Sequence, residues 1–219
     1  MLDTSILQQV TEIFRNLEAD YTLQVSYSPQ RGESTQLIEF LNDFATTSSH
    51  LKVVKEEAEG DVLDFSLLKN NQDTGIKFRG IPNGHEFTSL LLAVLNADGK
   101  GKNMPDEGIA SRIRTLKGDI RLQTYVSLTC TNCPDVVQTL NIFALLNPGI
   151  RHEMIDGALF QAEVDKLGVQ AVPSVYADGK LIHVGRGSLG ELLDKLEEKY
   201  PSSGETGRSE NTPIHRTFD

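Results

Sequence analysis

The 219-residue sequence has no tryptophan, only two cysteines and three methionines, and it is short of positive charge. Lysine and arginine number 21 against 31 aspartates and glutamates, which leaves a net charge of -10. Two cysteines are too few for a disulfide-stapled scaffold, a class dense in cystine. Without a basic excess nucleic acid is excluded as an expected partner, because phosphate binding needs a cationic face. Long apolar runs are missing too. Leu90–Leu95 is among the longest, against the ~20 residues of a membrane-spanning helix, so no membrane span is expected. The first residues, MLDTSILQQVTEIF, carry no basic region leading into an apolar one. They read as an amphipathic helix capped at Thr4 or Ser5 rather than as a signal peptide. A cytoplasmic chain with reduced thiols is the expectation, which makes the two cysteines the first thing to explain.

What is present is an ordinary globular composition, 38% hydrophobic and 24% charged. Residues 1–16 place Leu2, Ile6, Leu7, Val10, Ile13 and Phe14 at helical spacing. A strand is predicted at 22–27, a helix at 33–45, and strands at 51–55, 64–69 and 76–80, with NNQDTG at 70–75 as a turn. A helix at 85–96 follows Pro82, Asn83 and Gly84, and a polar connection occupies 97–108. The order then repeats: helix 109–116, strand 120–128, helix 134–146, strand 150–156, helix 158–168, strands 173–177 and 180–185 around an Asp178-Gly179 hairpin turn, and helix 188–200 with Ser188 as N-cap. Leu23-Gln24 and Leu122-Gln123 echo each other 99 positions apart, and Gly80 and Gly185 each precede a final helix. Two tandem copies of one small α/β fold are expected, at 1–108 and 109–200; the competing arrangement is a single mixed sheet. Residues 201–219 are rich in Ser, Gly, Pro and Glu, and read as a linker cut before a further domain.

Both cysteines, Cys130 and Cys133, lie in SLTCTNCPDVVQTL on a predicted strand-to-helix turn, with the helix starting near Thr131 and Cys130 near its N-cap. Residues three apart there share one side of the first turn. The positive end of the helix favours a thiolate. Pro134 follows where an N–H is least missed. Four readings of the pair compete: a redox dithiol, a structural zinc site, a structural disulfide, and two unrelated buried cysteines. Zinc needs four ligands, yet there is no second CxxC and the five His are scattered at 50, 85, 152, 183 and 215. A CxxC beside a βα unit in a cytosolic chain is a redox signal. Forty residues on, Val172-Pro173 opens a strand and is a candidate cis peptide, which would leave the backbone before it free to pair with an incoming extended peptide.

CxxC at a helix start, followed by VPS before a hairpin and a last helix, resembles the thioredoxin/glutaredoxin fold. The whole chain up to about residue 200 resembles something narrower. Its tandem halves, GHEFTSLLLAVL at 84–95 and TYVSLTCTNCPDVVQTLN at 124–141, are similar to the N-terminal domain of the alkyl hydroperoxide reductase flavoproteins. The resemblance implies that electrons reach the Cys130/Cys133 dithiol from a flavoprotein part of the same protein carrying FAD and NADH. They pass on to the disulfide of a peroxiredoxin, the C component of alkyl hydroperoxide reductase. No cofactor site is expected in the present sequence. By the same resemblance Cys130 attacks, Cys133 resolves, Thr131 and Asn132 tune the potential, and Val172 and Pro173 meet the substrate chain. A homodimer of the full-length protein is left open.

In the first half, Tyr27-Ser28-Pro29-Gln30 stands where the cysteine motif is expected, so this half can only brace the other. Glu86 is a lone acid in the apolar stretch HEFTSLLLAVL. It is either a helix-start carboxylate or a proton carrier that reaches Cys133 across the interface. Single-domain thioredoxins use a buried Asp for that task, and Arg121–Leu128 holds no acid. His85 reads as a capping or core residue and Arg186 as a surface one. Two other functions stay in play: a stand-alone glutaredoxin or protein-disulfide oxidoreductase, against which a single CxxC speaks, and a non-catalytic binding module.

Overall fold

A computed structural model describes residues 2–202. The proposed linker at 201–219 thus lies outside the described residues except for its first two. In chain order the elements are α1 (Thr4–Ile13), β1 (Tyr21–Tyr27), α2 (Ser34–Ala45), β2 (Leu51–Glu57), β3 (Leu63–Lys69), β4 (Gln72–Arg79), a short 3-10 turn (Gly84–Glu86), α3 (Phe87–Ala97) and α4 (Glu107–Thr115). They continue with β5 (Ile120–Val126), α5 (Cys133–Leu146), β6 (Ile150–Asp156), α6 (Gln161–Leu167), β7 (Ser174–Ala177), β8 (Lys180–Val184) and α7 (Leu189–Lys199).

Several boundaries differ from expectation for local reasons. Asp3, not Thr4 or Ser5, caps α1, because its carboxylate accepts from the Ser5 amide at 2.7 Å. The turn predicted over 70–75 shrinks to Asn70-Asn71, whose φ values of 48° and 65° make the tight hairpin alone. Gln72–Gly75 go into β4 instead. Gly75 is needed there: a Cβ on it would stand 2.8 Å from the Ile150 carbonyl oxygen. The helix expected over 158–168 begins only at Gln161, so Ala158–Phe160 form a loop. The helix expected from Thr131 begins at Cys133, which leaves Cys130 in the loop before the N-cap Asn132.

The strands form one eight-stranded sheet in the order β2-β1-β3-β4-β6-β5-β7-β8. Each half contributes four neighbours in the same arrangement, second strand, first, third, fourth. The two quartets join edge to edge through a parallel seam, Ile76–Arg79 of β4 beside His152–Ile155 of β6. The two arrangements weighed from the sequence are thus both present: a tandem repeat whose sheets are continuous. One hydrophobic cluster runs through both halves, from Val10 to Leu196.

Strand alternation decides which side chains face the helices. His152 of β6 bonds Asn141 of α5 at 2.7 Å and Thr124 of β5 at 2.8 Å, so Ile76, Phe78, Thr124, His152 and Met154 point towards α5. Burial pulls the His152 imidazole down to about 3, so this histidine is a neutral core residue. On that face α3 packs against α5 across the seam. Arg79, Glu153 and Tyr125 point to the opposite face, where α6 lies.

Candidate active site

The site begins where β5 ends. The Cys130 amide donates to the Ser127 carbonyl at 3.0 Å and closes a turn at the head of α5. Cys133 is the first residue of the helix and Pro134 the second, where its missing N–H costs no helical bond. The spacing therefore points both sulfurs to the same place with unequal exposure. Cys130 is half-buried and Cys133 is fully buried. The Cys130 thiol and the Ser127 backbone are the polar surroundings of Cys133. Burial pushes the Cys133 thiol well up. The Cys130 thiol and the charge of Glu86 push the same way, and the Ser127 backbone works against them. Such a thiol needs a base before it can act as a nucleophile.

The Val172–Pro173 peptide is cis, and the Val172 carbonyl faces the Cys130 Sγ at 3.9 Å. Thr131 is exposed. Asn132 is half-buried, and its Oδ1 accepts from Arg186 Nε at 2.7 Å, so Arg186 is tied to the dithiol loop. The loop that carries Arg186 is held by His183, whose Nε2 faces the carbonyls of Gly185 and Arg186 at 3.1 and 2.7 Å.

Glu86 enters from the other half. Gly84, at φ 55°, comes so close to the dithiol loop that a Cβ would stand 2.7 Å from the Leu128 carbonyl oxygen, and the His85 amide donates to that same oxygen at 3.0 Å. His85 itself is exposed. This docking buries Glu86 completely. Its Oε2 accepts from Ser89 Oγ at 2.5 Å, and Gln138 of α5 donates to the same hydroxyl at 3.4 Å; its Oε1 has no partner. Burial lifts the carboxyl from its ordinary 4.5 to about 7, with the Ser89 bond opposing. The structure thus brings Cys130, Cys133, Val172, Pro173, Asn132 and Glu86 together at one end of the seam, with Thr131 on the rim.

The position of the lost dithiol in the first half needs correction. β1 and β5 start 99 residues apart, and so do α2 and α5. That constant offset puts Arg31-Gly32-Glu33-Ser34, not Tyr27–Gln30, on Cys130–Cys133. Ser34 is buried and its Oγ donates to the Ser28 carbonyl at 2.7 Å, with Ser28 at the same offset from Ser127. The signal was in the sequence: the Leu23-Gln24 echo carried forward gives it. A second cluster had no such signal. Arg31, Arg79, Phe160, Glu163 and Tyr125 converge on the face opposite α3 and α5.

A thioredoxin-domain family profile matches residues 120–198. In the solved structures, the N-terminal domain of the alkyl hydroperoxide reductase AhpF from Enterococcus faecalis superposes with a TM-score of 0.82 at 28% identity, over 90% of this chain and 100% of that one. This chain is a relative of that N-terminal domain. The F component of alkyl hydroperoxide reductase from Staphylococcus epidermidis is 38% identical over 203 residues, 93% of this chain and 39% of its own length. A Bacillus subtilis protein named NADH dehydrogenase is 39% identical over 196 residues, 90% of this chain and 38% of its own length. The chain therefore spans less than two-fifths of the curated relatives it matches. A protein disulfide oxidoreductase from Aeropyrum pernix shares the fold, with a TM-score of 0.81 at 20% identity.

The tandem thioredoxin-like fold and the dithiol, with the similarity to AhpF, support a disulfide oxidoreductase. Among the described residues no helix is long and apolar enough to cross a membrane. Among them, too, no group of three or more His, Cys, Asp and Glu side chains is placed to hold a metal ion.

Proposed function

We propose that the chain is a redox relay that takes two electrons from the disulfide centre of an FAD- and NADH-dependent flavoprotein part and delivers them to the disulfide of a peroxiredoxin, in peroxide defence. The half at 109–200 does the exchange and the half at 1–108 supports it. The observation that carries this reading is the unequal pair: one half-buried thiol against the Val172 carbonyl, one fully buried behind it. In the delivering direction the Cys130 thiolate attacks one sulfur of the partner disulfide. A mixed disulfide forms, and the partner's other sulfur leaves as a thiolate. Cys133 then loses its proton and attacks Cys130. The Cys130–Cys133 disulfide forms and the partner departs as a dithiol. Glu86 is the group proposed to take the Cys133 proton, since a carboxyl lifted to about 7 is half ionised at neutral pH. Val172 would pair its backbone with the partner chain next to its disulfide, and Thr131 and Asn132 would contact it.

The test is direct. The reduced chain is mixed with an oxidised two-cysteine peroxiredoxin and the thiols of each are counted over time. Transfer of two electrons per dithiol, lost in Cys130→Ser, is the expected result. Equal transfer by Cys130→Ser and the parent, or none by either, overturns the reading.

A further inference from the structure

The thiol-free site of the first half is occupied. The sheet pairing identifies its surroundings: Ser26 pairs with Asp64 as Tyr125 pairs with Ser174, so Val62-Leu63 stand where Val172-Pro173 stand in the redox half. The Val62 carbonyl, counterpart of the one that faces Cys130, already accepts from the Ser28 amide at 2.8 Å. At the place of Cys130 the chain has Arg31, whose side chain is only 11% exposed. Its guanidinium lies 4.6 Å from the centre of the Phe160 ring and donates to the Leu159 carbonyl, both in the other half. Arg79 lies 4.3 Å from the centre of the same ring and holds Glu163 with two hydrogen bonds of 3.0 and 2.8 Å. Glu163 also accepts from Tyr125, two residues before the dithiol loop begins at Ser127. Two guanidiniums this close repel unless countered, and Asp61, Glu33 and Glu163 supply the opposite charge. A cation over an aromatic face adds attraction.

We propose that the first half uses its thiol-free site to dock the β6–α6 loop of the redox half, and that this Arg31–Phe160–Arg79 clamp is a positioning device that holds Glu86 at the head of α5, on the side of Cys133. The seam between the halves is only four residue pairs long. On one face it is bridged by α3 and α5, with Glu86 at the entry to α3 and Cys133 at the start of α5. On the other face the bridge is the clamp. Opening the clamp lets the halves hinge about the seam and withdraws Glu86 from Cys133. This inference rests on the proton-carrier reading of Glu86.

The probe is 5,5′-dithiobis(2-nitrobenzoate) on the reduced full chain. Cys130 attacks it, releasing one thionitrobenzoate and leaving a mixed disulfide. Cys133 then attacks Cys130, releasing the second. The rate of the second release against pH reads Cys133 and its base. Glu86→Gln is expected to slow that phase about tenfold or more near neutral pH. Arg31→Ala/Phe160→Leu should slow it similarly and move its pH profile the same way. Adding Glu86→Gln to that pair should then change the rate by less than about twofold, because the two act through one contact. Arg31→Lys, which keeps a cation over the ring, should restore most of the parent rate. Hydrogen exchange at the β4–β6 amides gives an independent reading of docking and should quicken in the clamp variant. A silent Glu86→Gln sinks the proton-carrier reading and the positioning role with it. An active Glu86→Gln whose effect multiplies in full with that of the clamp pair overturns the positioning role alone, and unchanged seam exchange overturns the docking.

Discussion

The two halves share strand order and, from first strand to second, a 99-residue register, yet only one carries a dithiol that can exchange a disulfide. The difference is concentrated in a few positions. Arg31 and Ser34 stand where the redox half has Cys130 and Cys133, and the Val62 carbonyl, bonded to the Ser28 amide, stands where the Val172 carbonyl meets the Cys130 thiol. The same frame thus makes an open site in one half and a closed joint in the other. What a thioredoxin-like site needs beyond its fold is a nucleophile with room in front of it. The largest expected effect tests this. Arg31→Cys/Ser34→Cys in a Cys130→Ser background restores the dithiol at the right offset but leaves Ser28 on the Val62 carbonyl and Leu159 and Phe160 over the site. Thiol transfer to an oxidised peroxiredoxin should stay at the background of Cys130→Ser. Transfer near the parent rate would mean that the two halves differ in their thiols alone.

Glu86 makes the second contrast, an acid of the inactive half that serves the active one. Its folded-state value near 7 lies above its ordinary 4.5, so the folded chain holds this proton more tightly than the unfolded chain. Stability from this group is therefore complete below about pH 4.5. It falls as pH rises towards 7 and levels off above, by about 3 kcal/mol in all. Denaturant unfolding of the parent and of Glu86→Gln between pH 4 and 8 should give curves that diverge over that window, the parent losing more. Parallel curves would show that Glu86 is not held neutral by its surroundings. The absolute level of the variant is a poorer guide, because its amide would also lack a partner where Oε1 does.

Much of this was legible before the structure. Alternating strands and strong turns carry local information, so the repeat could be read from TLQVSY and IRLQTYVSL, and the last helix from Ser188 and its following acid. Glu86 stood out because burial of a carboxylate in HEFTSLLLAVL conflicts with its neighbours. The seam was not legible. A strand that is an edge in one repeat and central in the pair has the same alternation in either case, and only tertiary packing decides. Arg31 was missed for a different reason. An arginine between Gln30 and Gly32 looks like any surface cation, and its partner Phe160 lies 129 positions away in a segment expected to be helical. The break of that helix before Gln161 is what frees Phe160 to reach the other half.

The smallest expected effect comes from comparing how the last helix of each half starts. α7 has a complete capping box: Ser188 Oγ accepts from the Glu191 amide at 3.2 Å, and the Glu191 carboxylate accepts from the Ser188 amide at 2.9 Å. α3 has no side-chain cap. It begins instead from a 3-10 turn pressed against Leu128, with Glu86 buried at its entry. The exposed start is thus satisfied by its own side chains, and the buried one gives up that cap to present a carboxyl to the neighbouring half. Ser188→Ala should cost about 1 kcal/mol, as the loss of a cap does. Because the cap touches neither the dithiol nor Glu86, the cost should be the same at pH 4.5 and at pH 8, and thionitrobenzoate release should be unchanged. A pH-dependent cost, or an altered second phase, would mean that the helix after Arg186 is coupled to the site through its loop, and that the two helix starts are less different in role than in structure.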